Sequence, residues 1–358
     1  MSWVLAFLGF ALLIILHELG HFAVAKWVGM RVERFSLFFP PLLARRQRGE
    51  TEYAIGAIPL GGYVKITGMN PHEDIPAEVA HRAYFRQEPW KRIAVILAGP
   101  LVNIVIAFLI LAGLVLHAGV VTDGAKVAGI ERGQPAAGLL QEGDVILTVD
   151  GRGGSSAALS KRIATHRCAG RLTAGCEATT PVTLTVRRDG RVSTLRVRPV
   201  YDAGAAKKMR IGFTSESVTR SAGIGDAVST SLDQMWFVTH RSVSTIVGIF
   251  NPEKRKQLNG VVGAYETTRS AFSFGPSEAL FVLALISLSL GIINLFPFLP
   301  LDGGHVFWAV AEKVRGRAIP FSVMEKAGFV GFALVIMLAV VGFTNDLNTL
   351  QGPGFKLR

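Results

Sequence analysis

Residues 12–22 read LLIILHELGHF, and they set His17, Glu18 and His21 inside a run that otherwise belongs in lipid. Residues four apart on a helix share a face. His17 and His21 can therefore offer imidazole nitrogens to one ion, and zinc takes such ligands at about 2.0–2.1 Å. Glu18 follows the first histidine and can reach a water on that ion, the arrangement used in zinc-dependent peptide hydrolysis. Catalytic zinc takes three protein ligands and a water, so the spacing leaves one ligand to be found. The competing reading is a chance match, a polar patch that meets a partner helix. Ionisable groups inside an apolar span are costly and functional by default, which favours the metal.

The third ligand must be a carboxylate or histidine at the same depth on another segment. Residues 294–304 read NLFPFLPLDGG. Pro297 and Pro300 break a helix there, and broken backbone at membrane depth is tolerated only within protein or beside a wet cavity. Asp302 follows the break, near the inner face. His17 lies about 21 Å along its helix from Trp3 at 1.5 Å per residue, which also places it toward the inner side. Asp302 is thus the expected third ligand. His305, close by, is a weaker candidate. His72, His81, His166 and His240 lie outside the apolar runs and read as surface or packing residues, and His117 ends an apolar run.

These residues need a membrane scaffold, and the chain supplies one. It has 358 residues, half of them hydrophobic, and a formal charge of +12. The apolar residues come in blocks, which argues against a soluble basic protein with a nucleic-acid partner. Four blocks approach the roughly 20 residues needed to cross a bilayer as helix: Trp3–Val24, Ile93–His117, Ala279–Leu299 and Ala327–Phe343. The first lacks a small-residue cleavage site after it, so it reads as a retained span. Lys and Arg crowd the segments joining blocks one to two and three to four, which the positive-inside rule assigns to the cytoplasm. Both termini and the long insert then face outward. Val228–Phe250 is a fifth apolar candidate, but His240 and Arg241 sit in its middle, and a central Arg costs about 3 kcal/mol or more. It reads as an amphipathic helix at the outer interface. A fifth span would also move Asp302 away from His17.

The expected fold is thus a polytopic α-helical membrane protein with four transmembrane helices, a membrane-associated β-hairpin and an inserted α+β domain. Residues 1–117 hold the first two helices and the glycine-rich stretch 51–68. Residues 118–202 form the extracytoplasmic domain, 203–278 a linker with the interfacial helix, and 279–358 the last two helices. Thr51–Gly68 reads as two short strands around Pro59, Leu60, Gly61 and Gly62, which in itself could be a packing hairpin. AGPLVN at Ala98–Asn103 suits close helix packing through Gly99, whereas Asn103 carries an intramembrane amide that wants a partner. The insert, with GQPAAGLLQEGDVILTVDG and a hairpin turning at Asp189-Gly190, resembles a PDZ domain. Such domains capture peptides on a sheet edge; steric exclusion of uncut proteins is an equal alternative. Cys168 and Cys176, the only cysteines, lie in this outward domain, where bridges persist. They are predicted to pair, adding roughly 2–3 kcal/mol to the insert in the chain-entropy model. Unpaired thiols and a metal pair are the alternatives.

HELGH, AGPLVN and NLFPFLPLDGG together resemble the site-2 proteases. TEYAIGAIPLGGYVKITG and the insert point to the regulator-of-sigma-E protease branch. The resemblance covers nearly the whole chain. It implies His17, His21 and Asp302 as Zn²⁺ ligands and Glu18 as general base. It implies that Asn294 helps hold the substrate, and that the loop containing Gly61, Gly62, Tyr63 and Val64 re-enters the membrane and pairs with the substrate as an added strand. It further implies cleavage of single-span membrane proteins, such as anti-sigma factors already trimmed by a site-1 protease, in the bacterial inner membrane. The chain departs from the best-known members in having room for one PDZ domain rather than two. A non-catalytic scaffold or chaperone of the same fold, and a metal transporter, are the other function classes. Glu18 and Asp302 are both present, against the scaffold, and only one ligand cluster is seen, against the transporter.

Overall fold

The computed structural model describes residues 2–70, 73–204, 207–248, 251–255, 260–317 and 319–352; His72, named above, lies outside them. In chain order the elements are α1 (Ser2–Trp27), β1 (Val32–Arg48), β2 (Thr51–Ile66) and α2 (Pro89–Ala118). There follow β3 (Val120–Ile130), β4 (Val145–Val149), α3 (Ser156–Ile163), β5 (Val182–Arg188), β6 (Arg191–Val197), β7 (Val200–Asp202), β8 (Lys208–Arg210) and β9 (Phe213–Arg220). The chain continues with α4 (Ile224–Val247), α5 (Pro252–Arg255), α6 (Val261–Phe274), α7 (Pro276–Asn294), α8 (Asp302–Arg315) and α9 (Phe321–Gln351). Two compact units result, Met1–Leu114 with Val228–Arg358, and Val115–Ala227.

In the first unit, α1, α2, α7 and α9 are long and apolar enough to cross a membrane, and they contain the four blocks read from the sequence except the end of the third, which leaves the helix at Asn294. α1 stops in a Schellman turn: Gly29 has φ +84°, its N–H donates to the Lys26 carbonyl at 3.1 Å, and the Met30 N–H donates to Ala25 at 2.9 Å. Glycine takes this left-handed position without a Cβ penalty. Just beyond, Glu50 accepts from Arg82 at 2.7 and 2.8 Å and from Lys26 at 2.6 Å. Those two cations, Arg82 foremost, hold its carboxyl down at about 2, tying the β1–β2 turn to the end of α1.

The glycine-rich stretch differs from the expected hairpin. Residues 51–66 form one long strand whose partners all lie in β1. Residues 62–66 run antiparallel to 32–37 (Val32 opposite Ile66, Leu37 opposite Gly62). The same stretch of β1 also pairs with Glu52–Ile55 in ascending register, and those residues in turn pair with Ala44–Gln47. The order of runs across this sheet is therefore 62–66, 32–37, 52–55, 44–48. Val32–Arg48 carries apolar and basic blocks without strict alternation, so periodicity did not mark it as strand.

α4 begins at Ile224, four residues before the expected helix. Its Met235 is buried among Ala107 and Leu111 of α2 and Ala284, Leu288 and Ile292 of α7, while Trp236 and Phe237 are exposed. α6 was not anticipated; it lies in what reads as linker. It packs against α1, α7 and α9. Its N-terminus is held from α9, where buried Asp346 accepts from the Gly260 N–H at 3.0 Å and the Gly263 N–H at 2.8 Å. This carboxylate supplies the acceptors that the first turn of a helix lacks.

The second unit is a five-stranded sheet in the order β6-β5-β4-β3-β9 with α3 on it. Ile146, Val149, Leu159, Ile163, Leu184 and Ile211 are among its buried core. Asp189 (φ +46°) and Gly190 (φ +76°) turn the β5–β6 hairpin as expected. Cys168 and Cys176 form a disulfide with Cα atoms 6.2 Å apart. The unit runs well past the expected boundary at 202, because β9 returns to pair with β3. β9 reads FTSESVTR, too polar to stand out from a linker.

Candidate metal centre

His17 and His21 project from α1 one turn apart, and Asp302 is the first residue of α8. The segment between α7 and α8 folds back tightly over that helix start. A Cβ on Gly303 would lie 2.2 Å from the Leu295 carbonyl oxygen, and one on Gly304 would lie 2.4 Å from the Leu299 nitrogen. On α9, Gly331 meets the Leu299 carbonyl just as closely. The broken segment thus packs its backbone on α8 and α9 at Leu295 and Leu299, while Pro297, Phe298 and Pro300 are exposed.

The three side chains converge. His17 Nε2 lies 3.3 Å from His21 Nε2 and 3.2 Å from Asp302 Oδ2, and His21 Nε2 lies 3.3 Å from that same oxygen. The three atoms form a nearly equilateral triangle. Tetrahedral zinc with bonds of about 2.0–2.1 Å requires ligand edges of about 3.3 Å, so the spacing fits zinc. The chemistry of the donors fits as well. His21 Nδ1 lies 2.8 Å from the Val95 carbonyl oxygen, which can only accept, so Nδ1 carries the proton and Nε2 of the neutral ring offers a lone pair. That lone pair faces the carboxylate oxygen of Asp302, itself buried and without a hydrogen-bond partner. Lone pairs turned on one another in a buried site call for a cation between them. Among the described residues this is the one cluster of its kind, and His305 is not part of it.

The comparisons with known proteins agree with this geometry. Residues 5–338 match the model of peptidase family M50. The chain belongs to peptidase family M50. Zinc is the metal of that family, and the donor set described above suits it. Among relatives, a protein of Rhizobium meliloti named "Putative zinc metalloprotease" is 30% identical over 95% of both chains. One of Clostridium perfringens with the same designation is 31% identical over 96% of this chain and 98% of its own. A solved PDZ domain of Listeria innocua covers 28% of this chain at 18% identity with a TM-score of 0.22, too low to bear on the fold.

Around this triad of the M50 member, α2 supplies what the sequence did not reveal. Val95 orients His21 through its backbone carbonyl, which no residue type announces. Asn103, fully buried, has Nδ2 3.1 Å from His17 Nδ1; its intramembrane amide was the one available signal. Gly99 makes the approach possible, because a Cβ there would lie 2.3 Å from His21 Nε2. Glu18 is flanked by the β-sheet. A Cβ on Gly62 would lie 2.8 Å from Glu18 Cγ and 3.0 Å from the Ser36 carbonyl oxygen. Beside it, the Tyr63 ring stacks on Phe39 with centroids 5.9 Å apart, Gly61 faces that same Phe39 ring, and Val64 packs on the cluster around Ile66 and Val95. Asn294 ends α7, half-buried. The disulfide cysteines belong to the other unit and take no part.

Proposed function

We propose that this M50 member is an intramembrane zinc endopeptidase that cleaves the membrane segments of single-span proteins. The observation that carries this reading is the converging triad of His17, His21 and Asp302 beside Glu18, built on helices long and apolar enough to span a bilayer. In it His17, His21 and Asp302 hold zinc, which supplies Lewis-acid activation of a carbonyl and of water. Glu18 takes the proton of the attacking water and delivers it to the leaving amine, so one group acts as base and then as acid. A helical peptide is a poor substrate, since its carbonyls are bonded and wrapped by side chains. Residues 62–66 form the outer run of the sheet, with no strand on their far side among the described residues, and Gly62 abuts Glu18. An extended substrate added to that edge exchanges helix hydrogen bonds for ladder bonds, next to the base. Asn294, where α7 ends, offers a side-chain amide to the substrate backbone.

The Lys- and Arg-rich segments support an inner-membrane protein with the metal toward the cytoplasm and the second unit outside. A five-stranded sheet carrying one helix, with β9 at its edge and paired only with β3 among the described residues, supports a PDZ reading of that unit, as a peptide-capturing or excluding module. Substrates resembling anti-sigma factors, first trimmed by a site-1 protease, fit such a filter. Orientation is tested by single cysteines: Asp189→Cys should react with impermeant thiol reagents, whereas Arg46→Cys and Gly316→Cys should react only with permeant ones. Labelling of Gly316→Cys from outside overturns the orientation. The function is tested by comparing membrane proteomes of cells carrying the native chain and Glu18→Gln. Trimmed single-span fragments should accumulate in the variant, and identical fragment sets would remove the basis for this function.

A further inference from the structure

We propose that Asn103 is a positioning residue that holds His17 in its metal-binding tautomer, with its side-chain oxygen accepting from His17 Nδ1–H. The proposal rests on reading His17 as a ligand through Nε2. A ligand nitrogen must present its lone pair to the ion, so the single proton of the neutral ring goes to Nδ1, and the group facing Nδ1 must accept. For His21 the acceptor is the Val95 carbonyl at 2.8 Å. For His17 the facing group is the Asn103 amide at 3.1 Å. The two ends of an amide are interchangeable by a half-turn of the side chain, so the carbonyl end can face Nδ1 from the same position. The other end of the amide is buried without a partner, which leaves His17 as the hydrogen-bond partner of this side chain among the described residues. A fully buried amide in an apolar helix is costly unless it is bonded, and here the bond goes to a ligand.

The main chain at this position is fastened as well. Ser287 of α7, itself buried, donates its hydroxyl to the Asn103 carbonyl at 2.9 Å. On the same helix, Gly291 lets α7 approach so closely that a Cβ there would lie 3.0 Å from the Pro100 carbonyl oxygen. α2 is thus pinned on one side by α7 and orients both histidines of α1 on the other, one through a backbone carbonyl and one through Asn103.

The test is zinc affinity of the purified full-length chain, measured by chelator competition, alongside the thermal midpoint of the metal-free protein. Asn103→Leu removes the acceptor at similar size, and zinc should bind about 10–100-fold more weakly. Asn103→Asp keeps an oxygen facing Nδ1 and should bind zinc as the native chain does, or more tightly. Where Asn103→Leu fails to accumulate, Asn103→Ala, which adds no bulk, should show the same weakening. Unchanged affinity in the Leu or Ala variant overturns the proposal. So does equal weakening in the Asp and Leu variants, which would mark the position as packing alone. His17→Ala separates the two levels: if it keeps zinc, the ligand assignment fails, whatever the Asn103 variants do.

Discussion

Glu18→Gln is expected to bind zinc as the native chain does and to cleave at least about 10³-fold more slowly, within the range that general acid–base groups contribute. The two halves of this result have separate causes. The triangle of His17, His21 and Asp302 is complete without Glu18, so the ion keeps its ligands. Glutamine has the size of glutamate and fits beside Gly62, but it cannot take up the proton of the attacking water. Asp302→Ala should do the opposite and lose most of the zinc along with the activity, since two imidazoles alone do not complete the site. Metal content by mass spectrometry and initial rates on a membrane-segment substrate, measured on the same preparations, decide both. Full activity in Glu18→Gln would sink the mechanism, and full zinc content in Asp302→Ala would sink the ligand set.

Gly99→Ala, a single added methyl, should weaken zinc binding by at least about 100-fold, the upper end of what loss of a supporting contact costs. The added Cβ would fall 2.3 Å from Nε2, 2.6 Å from Cε1 and 2.8 Å from Cδ2 of His21. The ring cannot simply turn aside, because its Nδ1 is bonded to Val95, one turn away on the same helix as the new methyl. Moving the ring therefore breaks that bond and displaces the ligand atom itself, while moving α2 disturbs Asn103 and its contact with His17. Gly113→Ala provides the control. A Cβ there meets nothing within 4 Å, so it should leave zinc affinity unchanged. Equal affinity in the native chain and Gly99→Ala would show that the helices have room the structure does not give them.

What was legible in the sequence shared one physical character. A ligand pair four residues apart on a helix is local, and helical geometry alone puts both imidazoles on one face. Span length follows from bilayer thickness, so the membrane-length helices needed no knowledge of their neighbours. The Asp-Gly turn and the Cys168–Cys176 bridge are likewise short-range. Asp302 was reachable because a depth can be counted along two helices from their ends. The rest depends on groups far apart in the chain. Runs 32–37 and 52–55 lie side by side in a sheet whose strands lack a clean alternation, so no pattern marked their register. β9 finds β3 across some ninety residues, and α6 is stabilised at its start by Asp346 from the last helix. The reason Gly99 must be glycine is a histidine 78 positions earlier, and the reason Asn103 can be buried in an apolar helix is another, 86 positions earlier. The sequence alone determined which residues could hold zinc and that they sit in a membrane protein. Only the tertiary structure decided what holds those ligands in place, because hydrogen-bond direction and van der Waals exclusion act between atoms in space, whatever their separation along the chain.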